Sequence, residues 1–294
     1  MPELPEVETI RRGLAPVLEG ARFERVELNR KDLRFPFQRG FAKRLEGVAV
    51  TALSRRAKYL VAELGSGEAL VMHLGMTGRF TVEDDATPRF EPGRFYDDTE
   101  RLGVHDHVVF HLSGGKRIVY NDVRRFGFML LVKRDELEAH PLFDGLGIEP
   151  IGNEFGPDAI DRLFAGKERP LKSALLDQRL IAGLGNIYVC EALFRAGLSP
   201  ERRASTLSGK GAAARARREL LAGEIRRVID EAILKGGSTL RDYANANGEE
   251  GAFQHEFLVY GREGEACLRE ACRGTVRRSM HAGRSTFFCH RCQK

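Results

Sequence analysis

Four of the chain's five cysteines lie between residues 267 and 292, as Cys267-x4-Cys272, a gap of sixteen residues, then Cys289-x2-Cys292. No other feature constrains the fold as much. Two close pairs joined by a hairpin let four sulfurs converge tetrahedrally, which is the geometry of a structural zinc site. Clustering of this kind argues for metal rather than for a disulfide framework. Segments 275–280 and 285–288 are the expected hairpin strands, with Ala282-Gly283 at the turn and Arg284 just past it. The expected cofactor is one Zn2+ on Cys267, Cys272, Cys289 and Cys292, with His281 and His290 as substitute ligands to weigh. Four protein sulfurs leave no position for water, so the metal's expected role is structural.

Ahead of the finger the hydrophobic period changes once. Segments 22–29, 48–53, 59–64, 69–74, 107–112, 117–120 and 128–132 are short, β-branched or alternating, and separated by glycine turns. That spacing predicts an antiparallel β-sandwich. Val7, Ile10, Leu14 and Val17 recur at helical spacing and predict a flanking helix before it. The stretch 82–103, acidic and holding Pro88 and Pro92, reads as an exposed loop. From 157 onward the period is helical, over 157–165, 170–178, 186–196 and 209–235. At 294 residues, with 42% hydrophobic residues, the chain is long enough for two domains and a small third. The expected division is 1–134, a linker at 135–155, then 156–254 and a finger at 255–294. The fold class is α+β and multidomain.

The net charge of +5 favours an anionic partner, and residues 255–294 carry eight Lys/Arg against four Asp/Glu. No apolar run has the length of a signal peptide's core or of a membrane span, so the expectation is an intracellular, cytoplasmic protein with no membrane partner.

The chain starts Met1-Pro2-Glu3-Leu4-Pro5-Glu6. Removal of Met1 would expose Pro2 as a secondary amine. Condensed with a sugar aldehyde carbon, such an amine gives an iminium ion that works as an electron sink for elimination. Glu3 is the nearby general acid/base, and Glu6 a second carboxylate beside it. Pro5 suits the first turn of the following helix, whose dipole lowers the amine's pKa. Further along, Met76, Arg124 and Phe126 combine a long apolar chain, a guanidinium and a ring. Those are the parts of a wedge that fills the gap left when a base is flipped out of a duplex. Gly183-Leu184-Gly185-Asn186 sits between two helices, where backbone N–H groups approach phosphate closely and Asn186 is placed to cap the next helix.

Taken in order, Pro2-Glu3-Leu4-Pro5-Glu6-Val7-Glu8-Thr9, Arg55-Arg56-Ala57-Lys58-Tyr59-Leu60, His73-Leu74-Gly75-Met76, Arg124-Arg125-Phe126-Gly127, Gly185-Asn186-Ile187-Tyr188 and the terminal cysteines resemble the formamidopyrimidine-DNA glycosylase family nearly end to end. The resemblance implies a β-sandwich, a helix–two-turn–helix domain with a zinc finger, and damaged double-stranded DNA in the cleft between them. It implies a monomeric glycosylase and AP lyase for oxidised purines, with no nucleotide cofactor. Pro2 resembles the Schiff-base nucleophile and Glu3 the proton shuttle, supported by Glu6. Lys58 and Arg284 resemble the cations that assist β- and δ-elimination. Asn186 and Lys172 resemble phosphate contacts, His105 another DNA-contacting position, and Met76, Arg124 and Phe126 the void-filling trio. The segment 237–242 resembles the start of a loop that closes over the everted base. Three departures stand out: Val123 where the family often has proline, the widened first cysteine pair, and the long 82–103 loop. The rival expectations are an endonuclease VIII-type enzyme for oxidised pyrimidines and a non-catalytic zinc-finger DNA-binding protein. The second would follow from a retained Met1.

Overall fold

The structure is a computed structural model, and it describes residues 2–84, 92, 103–238 and 252–294. The chain forms two compact units, Met1–Asp144 with Lys235–Ala252, and Gly145–Leu234 with Phe253–Lys294.

In the first unit, α1 spans Leu4–Leu18 and buries Val7, Ile10, Leu14 and Leu18. Those residues sit three or four apart, so one stripe of the helix faces the core. A short α2 (Phe41–Leu45) follows β1 (Phe23–Leu28). The remaining strands are β2 (Val50–Arg56), β3 (Tyr59–Leu64), β4 (Glu68–His73), β5 (Gly78–Glu83), β6 (Asp106–Leu112), β7 (Arg117–Asp122) and β8 (Phe128–Lys133). They make two four-stranded sheets in the orders β1-β6-β7-β5 and β2-β3-β4-β8. Every pairing is antiparallel. Leu60, Leu70 and Met72 from one sheet join Phe80, Phe110 and Tyr120 from the other, with the α1 stripe, in one core. The expected sandwich with a flanking helix is therefore present.

One strand escaped the sequence pattern. β5 buries Arg79 and Thr81 along with Phe80 and Val82. Polar residues at buried positions hide the strand's period. β5 also takes in the first two residues of the expected 82–103 loop, of which residues 85–91 and 93–102 lie outside the described residues.

The topology sets where loops gather. The segment from His73 to Gly78 leaves β4 in one sheet and enters β5 in the other. The segment from Asp122 to Phe128 leaves β7 and returns to β8. His73 pairs with Phe128 and Gly78 with Asp122, so the two crossovers run side by side at one end of the sandwich.

The second unit contains α3 (Pro157–Phe164), α4 (Leu171–Leu175), α5 (Asn186–Arg195), α6 (Ala212–Leu234) and the hairpin β9 (Val276–His281) and β10 (Arg284–Cys289). α4 stops three residues short of the expected 178. Gln178 is instead used in the turn, where its side chain accepts from Gly183 N–H (2.8 Å) and donates to the carbonyls of Leu184 (2.8 Å) and Leu176 (3.1 Å). The finger's strands pair as expected. Ala282 and Gly283 both have positive φ (50° and 70°), the backbone that a tight two-residue hairpin turn requires. No helix among the described residues is long and apolar enough to cross a membrane.

Candidate functional site

The start of α1 is wired on both sides. Glu3 is its N-cap, and Glu3 and Glu6 form a reciprocal capping box. Glu3 N–H donates to Glu6 Oε2 at 2.9 Å, and the Glu3 side chain accepts from the Glu6 backbone N–H. Glu6 Oε1 accepts from both Ser238 N–H (2.8 Å) and the Ser238 hydroxyl (3.0 Å). Pro2, Glu3 and Glu6 are all buried. Pro2 thus stands at the positive end of a 15-residue helix, beside two ordered carboxylates.

Two residues further on, Glu8 accepts from Arg11 (2.8 and 3.0 Å), Arg12 (2.9 Å) and Arg55 (3.3 Å). Burial alone would raise the Glu8 carboxyl, but the three guanidiniums hold it below its ordinary value. Arg55 in turn donates to the Ala57 carbonyl at 2.8 Å. Ala57 takes a positive φ of 51° in the turn between β2 and β3, and the next residue is Lys58, itself buried. Across the sheet from that turn, His73 is held neutral, its pKa brought down to about 4 by burial and then by the charges of Lys58 and Arg34. Its Nδ1 accepts from Gly75 N–H (3.1 Å), and its ring stacks on Phe128.

Met76 sits on the β4–β5 crossover, Arg124 and Phe126 on the β7–β8 crossover, and His105 on the segment entering β6. The Arg124 guanidinium lies 4.6 Å from the centroid of the Phe126 ring, and Phe126 is 42% exposed. Gly75 has φ +62°, and a Cβ there would overlap the backbone of Phe126 and Gly127. A Cβ on Gly127 would overlap the Tyr120 hydroxyl. Only glycines allow the two crossovers this close. Burial, with Asp122 beside it, pushes the Tyr120 phenol well above its ordinary pKa, so it remains a donor.

In the second unit, three expected site residues meet at one strand. Lys172 Nζ donates to the Ser285 carbonyl (2.8 Å) and to Thr286 Oγ1 (2.7 Å). Asn186 Nδ2 donates to the same Ser285 carbonyl at 3.0 Å. Arg284, the neighbour of Ser285, is exposed at the start of β10. Lys172 is fully buried, and in this conformation its ammonium is committed to the finger's strand. Asn186 does not cap α5, contrary to the expectation. Gly185 is the N-cap, and Asn186 is already helical with its amide turned to β10.

The four finger sulfurs form a cluster able to hold a metal ion. Cys267 and Cys292 lie 3.8 Å apart, as do Cys272 and Cys289, and all four ligand atoms fall within 4.8 Å of one another. A tetrahedral thiolate site with bonds of ~2.3 Å has edges of ~3.8 Å. The widened first pair does not spoil this geometry. Its extra residues carry Arg269, which donates to the Phe194 and Arg195 carbonyls at the end of α5. Ala271 absorbs the detour with φ +58°.

Residues 1–129 match the family model described as Formamidopyrimidine-DNA glycosylase N-terminal domain, and residues 146–244 match Formamidopyrimidine-DNA glycosylase H2TH domain. The Formamidopyrimidine-DNA glycosylase of Methylobacterium sp. (strain 4-46) is 61% identical over 297 residues, covering 100% of this chain and 99% of its own. The chain belongs to the formamidopyrimidine-DNA glycosylase family. Another member, from Beijerinckia indica subsp. indica, is 60% identical with full coverage of both chains. Among solved structures, Lactococcus lactis Fpg in complex with DNA containing an abasic site superposes with a TM-score of 0.81 at 32% identity over 100% of both chains. A Lactococcus lactis Fpg mutant with Fapy-dG-containing DNA gives 0.82 at 32% identity, again over 100% of both chains.

Against this family's motifs, the structure adds residues that the sequence pattern did not single out. Ser238 is seated on Glu6, although the segment expected to cover an everted base lies outside the described residues from 239 on. Glu191, on α5, is fully buried and accepts from the N–H groups of Leu258 (2.9 Å), Val259 (3.0 Å) and Tyr260 (2.8 Å). Burial pushes its carboxyl up, and those three donors oppose the shift. Asp122, fully buried at the end of β7, is the third. Glu191 lies in an unremarkable stretch, whereas Ser238 and Asp122 lie in or beside motifs already noted, and only their partners reveal what they hold.

Proposed function

We propose that this chain is a bifunctional DNA glycosylase and AP lyase that removes oxidised purines, 8-oxoguanine and formamidopyrimidines, from double-stranded DNA. The observation that carries the reading is the start of α1. There a proline one residue in from the N-terminus is buried at the helix's positive end, and Glu3 and Glu6 lock each other in a capping box.

The reading assigns each step to a side chain. With Met1 removed, the Pro2 nitrogen attacks C1′ of the damaged nucleotide, the base leaves with the electron pair of the broken bond, and the proton lost from the Pro2 nitrogen balances the one the base takes up. Glu3 delivers a proton to the sugar ring oxygen, which opens the ring and leaves an iminium between Pro2 and C1′. That cation has no N–H to lose, so it acidifies the C2′ proton. Loss of the proton expels the 3′ phosphate, and a second elimination expels the 5′ phosphate. Glu6 holds Glu3 in place. Lys58 and Arg284 stabilise the departing phosphates, while Asn186 and Lys172 hold the backbone and His105 contacts the DNA. For Lys172 this requires release from Ser285. Met76, Arg124 and Phe126 fill the space the base leaves, with Arg124 facing the orphaned cytosine.

In this reading residues 1–134 carry the chemistry and 135–155 form a link. Residues 156–254 supply the two-turn motif and the lesion-covering loop, and 255–294 the finger. Cys267, Cys272, Cys289 and Cys292 would hold one Zn2+. Bound there, the ion cross-links the finger and leaves no ligand position for chemistry. The protein acts as a monomer, with the chromosome in the bacterial cytoplasm.

Borohydride trapping tests the mechanism. On a duplex with 8-oxoguanine opposite cytosine, borohydride should reduce the iminium to a stable amine and leave a covalent adduct that peptide mass maps to Pro2. Glu3→Gln should lower base excision by about 10²-fold or more, and Pro2→Gly should sharply reduce lyase activity. An adduct formed only with an oxidised pyrimidine would favour the endonuclease VIII-type alternative. No adduct with either lesion, once removal of Met1 is verified by mass, would overturn the reading.

A further inference from the structure

We propose that Asp122 is a positioning residue that sets the height and angle of the void-filling trio. The inference rests on the glycosylase reading above.

Asp122 is fully buried at the last position of β7, a central strand of its sheet. At that edge β5 and β6 begin and β7 ends, so three connecting segments meet around one side chain. Its Oδ1 accepts from the Thr77 hydroxyl at 2.5 Å, beside Met76. Its Oδ2 accepts from Gly127 N–H at 2.8 Å, beside Phe126, and from the Tyr120 hydroxyl at 3.2 Å. Thr77 Oγ1 in turn accepts from Arg124 N–H at 3.0 Å. The backbone of Asp122 completes the clamp. Its N–H donates to the His105 carbonyl (3.1 Å), and its carbonyl accepts from His107 Nε2–H (2.9 Å) and Arg125 N–H (3.3 Å).

One carboxylate therefore joins the two crossovers that carry Met76, Arg124 and Phe126. A simple structural acid would cap one loop. This one bridges two loops that belong to different connections, and each loop carries a proposed wedge residue next to the residue the carboxylate holds. Val123 follows directly, where the family often has proline, so the loop lacks a ring to stiffen it. Arg125 instead adopts φ +54°, held by its hydrogen bond to Asp122. Without the carboxylate, Gly127 N–H and the Thr77 hydroxyl lose their acceptor and the crossovers can part.

The test compares a step that needs the wedge with one that does not. Wild-type protein, Asp122→Ala, Asp122→Asn and Thr77→Val are mixed with a duplex that holds 8-oxoguanine opposite cytosine and 2-aminopurine beside the lesion. The rate of the fluorescence rise reports base eversion. In parallel, borohydride trapping is run on a single-stranded oligonucleotide with a preformed abasic site, where no opposite base needs replacing. Asp122→Ala should slow eversion about 10- to 100-fold, the scale of a roughly ångström-sized misplacement. Trapping on the single strand should stay within about twofold of wild type. Asp122→Asn keeps an acceptor for Gly127 N–H and should recover most of the eversion rate. Should Asp122→Ala fail to give a folding transition, Thr77→Val decides. It deletes only the hydroxyl that links Asp122 to Arg124, and should slow eversion while sparing the trap. An unchanged eversion rate, or equal losses on both substrates, would overturn the inference alone. A wild-type protein with neither eversion nor adduct would overturn the glycosylase reading, and this inference with it.

Discussion

Replacing Glu191 by glutamine isolates what one buried carboxylate does for the finger. The side chain is fully buried in α5, and its two oxygens take three consecutive backbone N–H groups at 2.8–3.0 Å. Those donors belong to Leu258, Val259 and Tyr260, the segment that packs Val259 with Cys190, Phe194 and the finger residue Phe287. Glutamine has nearly the same shape and keeps one acceptor oxygen. That oxygen can serve Val259 and Tyr260, which share Oε1, but the new amide then points an N–H at Leu258 N–H. One part-buried donor goes unsatisfied and two donors face each other, a loss of about 2–3 kcal/mol. For 294 residues, each contributing about 2.1 cal/mol/K of unfolding entropy, the melting temperature should fall by about 3–5 °C. Calorimetry at fixed zinc would measure it, and the variant should release metal to a chelator faster than wild type, because the segment behind the finger is loosened. A stability change within about 0.5 kcal/mol, the range of ordinary surface substitutions, would refute the reasoning.

Two other outcomes follow from the same kind of accounting. His73 is held neutral, with a pKa of about 4 against an ordinary 6.5. The unfolded chain therefore binds more protons between those values, and stability must rise with pH across that window. Acidification from pH 6.5 to 4 should remove about 3 kcal/mol through this group, a loss absent in His73→Phe; urea midpoints at three pH values would show it, and parallel curves for the two proteins would count against it. Cys292→Ser replaces a sulfur ligand with a harder, weaker one, so the variant should lose the one zinc proposed for the finger, by elemental analysis, and bind DNA more weakly. Full zinc occupancy in the variant would contradict a four-sulfur site.

The legible parts of this fold share one property: their local pattern and their tertiary environment agree. Val7, Ile10 and Leu14 are spaced for a helix and are buried as a stripe. The cysteines are spaced for a metal, and their sulfurs converge. Where pattern and environment disagree, the sequence misleads. Arg79 and Thr81 are polar yet buried, so β5 went unseen. Asn186 looks like a cap, but its amide is drawn to the Ser285 carbonyl, a partner 99 residues away that no local rule supplies. Lys172 is a lysine in a basic, helical stretch, and nothing nearby in sequence foretells that its ammonium is buried on β10. Asp122 gives one faint signal, an acid closing the apolar run Ile118-Val119-Tyr120, and its meaning depends on crossovers that only the sheet topology brings together.

The N-terminal motif shows how much of the first unit's order can rest on a few residues. In Pro2-Glu3-Leu4-Pro5-Glu6-Val7-Glu8, the apolar positions Leu4 and Val7 face the core and fix the helix's rotation. With rotation fixed, each carboxylate has one direction to point. Glu6 reaches back to Glu3 with one oxygen and to Ser238 with the other, which ties the helix start to a residue 232 positions later. Glu8 lies about half a turn further round and reaches Arg55, whose guanidinium holds the Ala57 carbonyl and so the turn bearing Lys58. A slip of one residue in α1 would rotate it by roughly 100° and break both links at once. The order of acids and apolar residues is therefore a positional constraint on the first unit's part of the proposed site. It joins Pro2, Lys58 and the base of the 239–251 segment through two buried carboxylates.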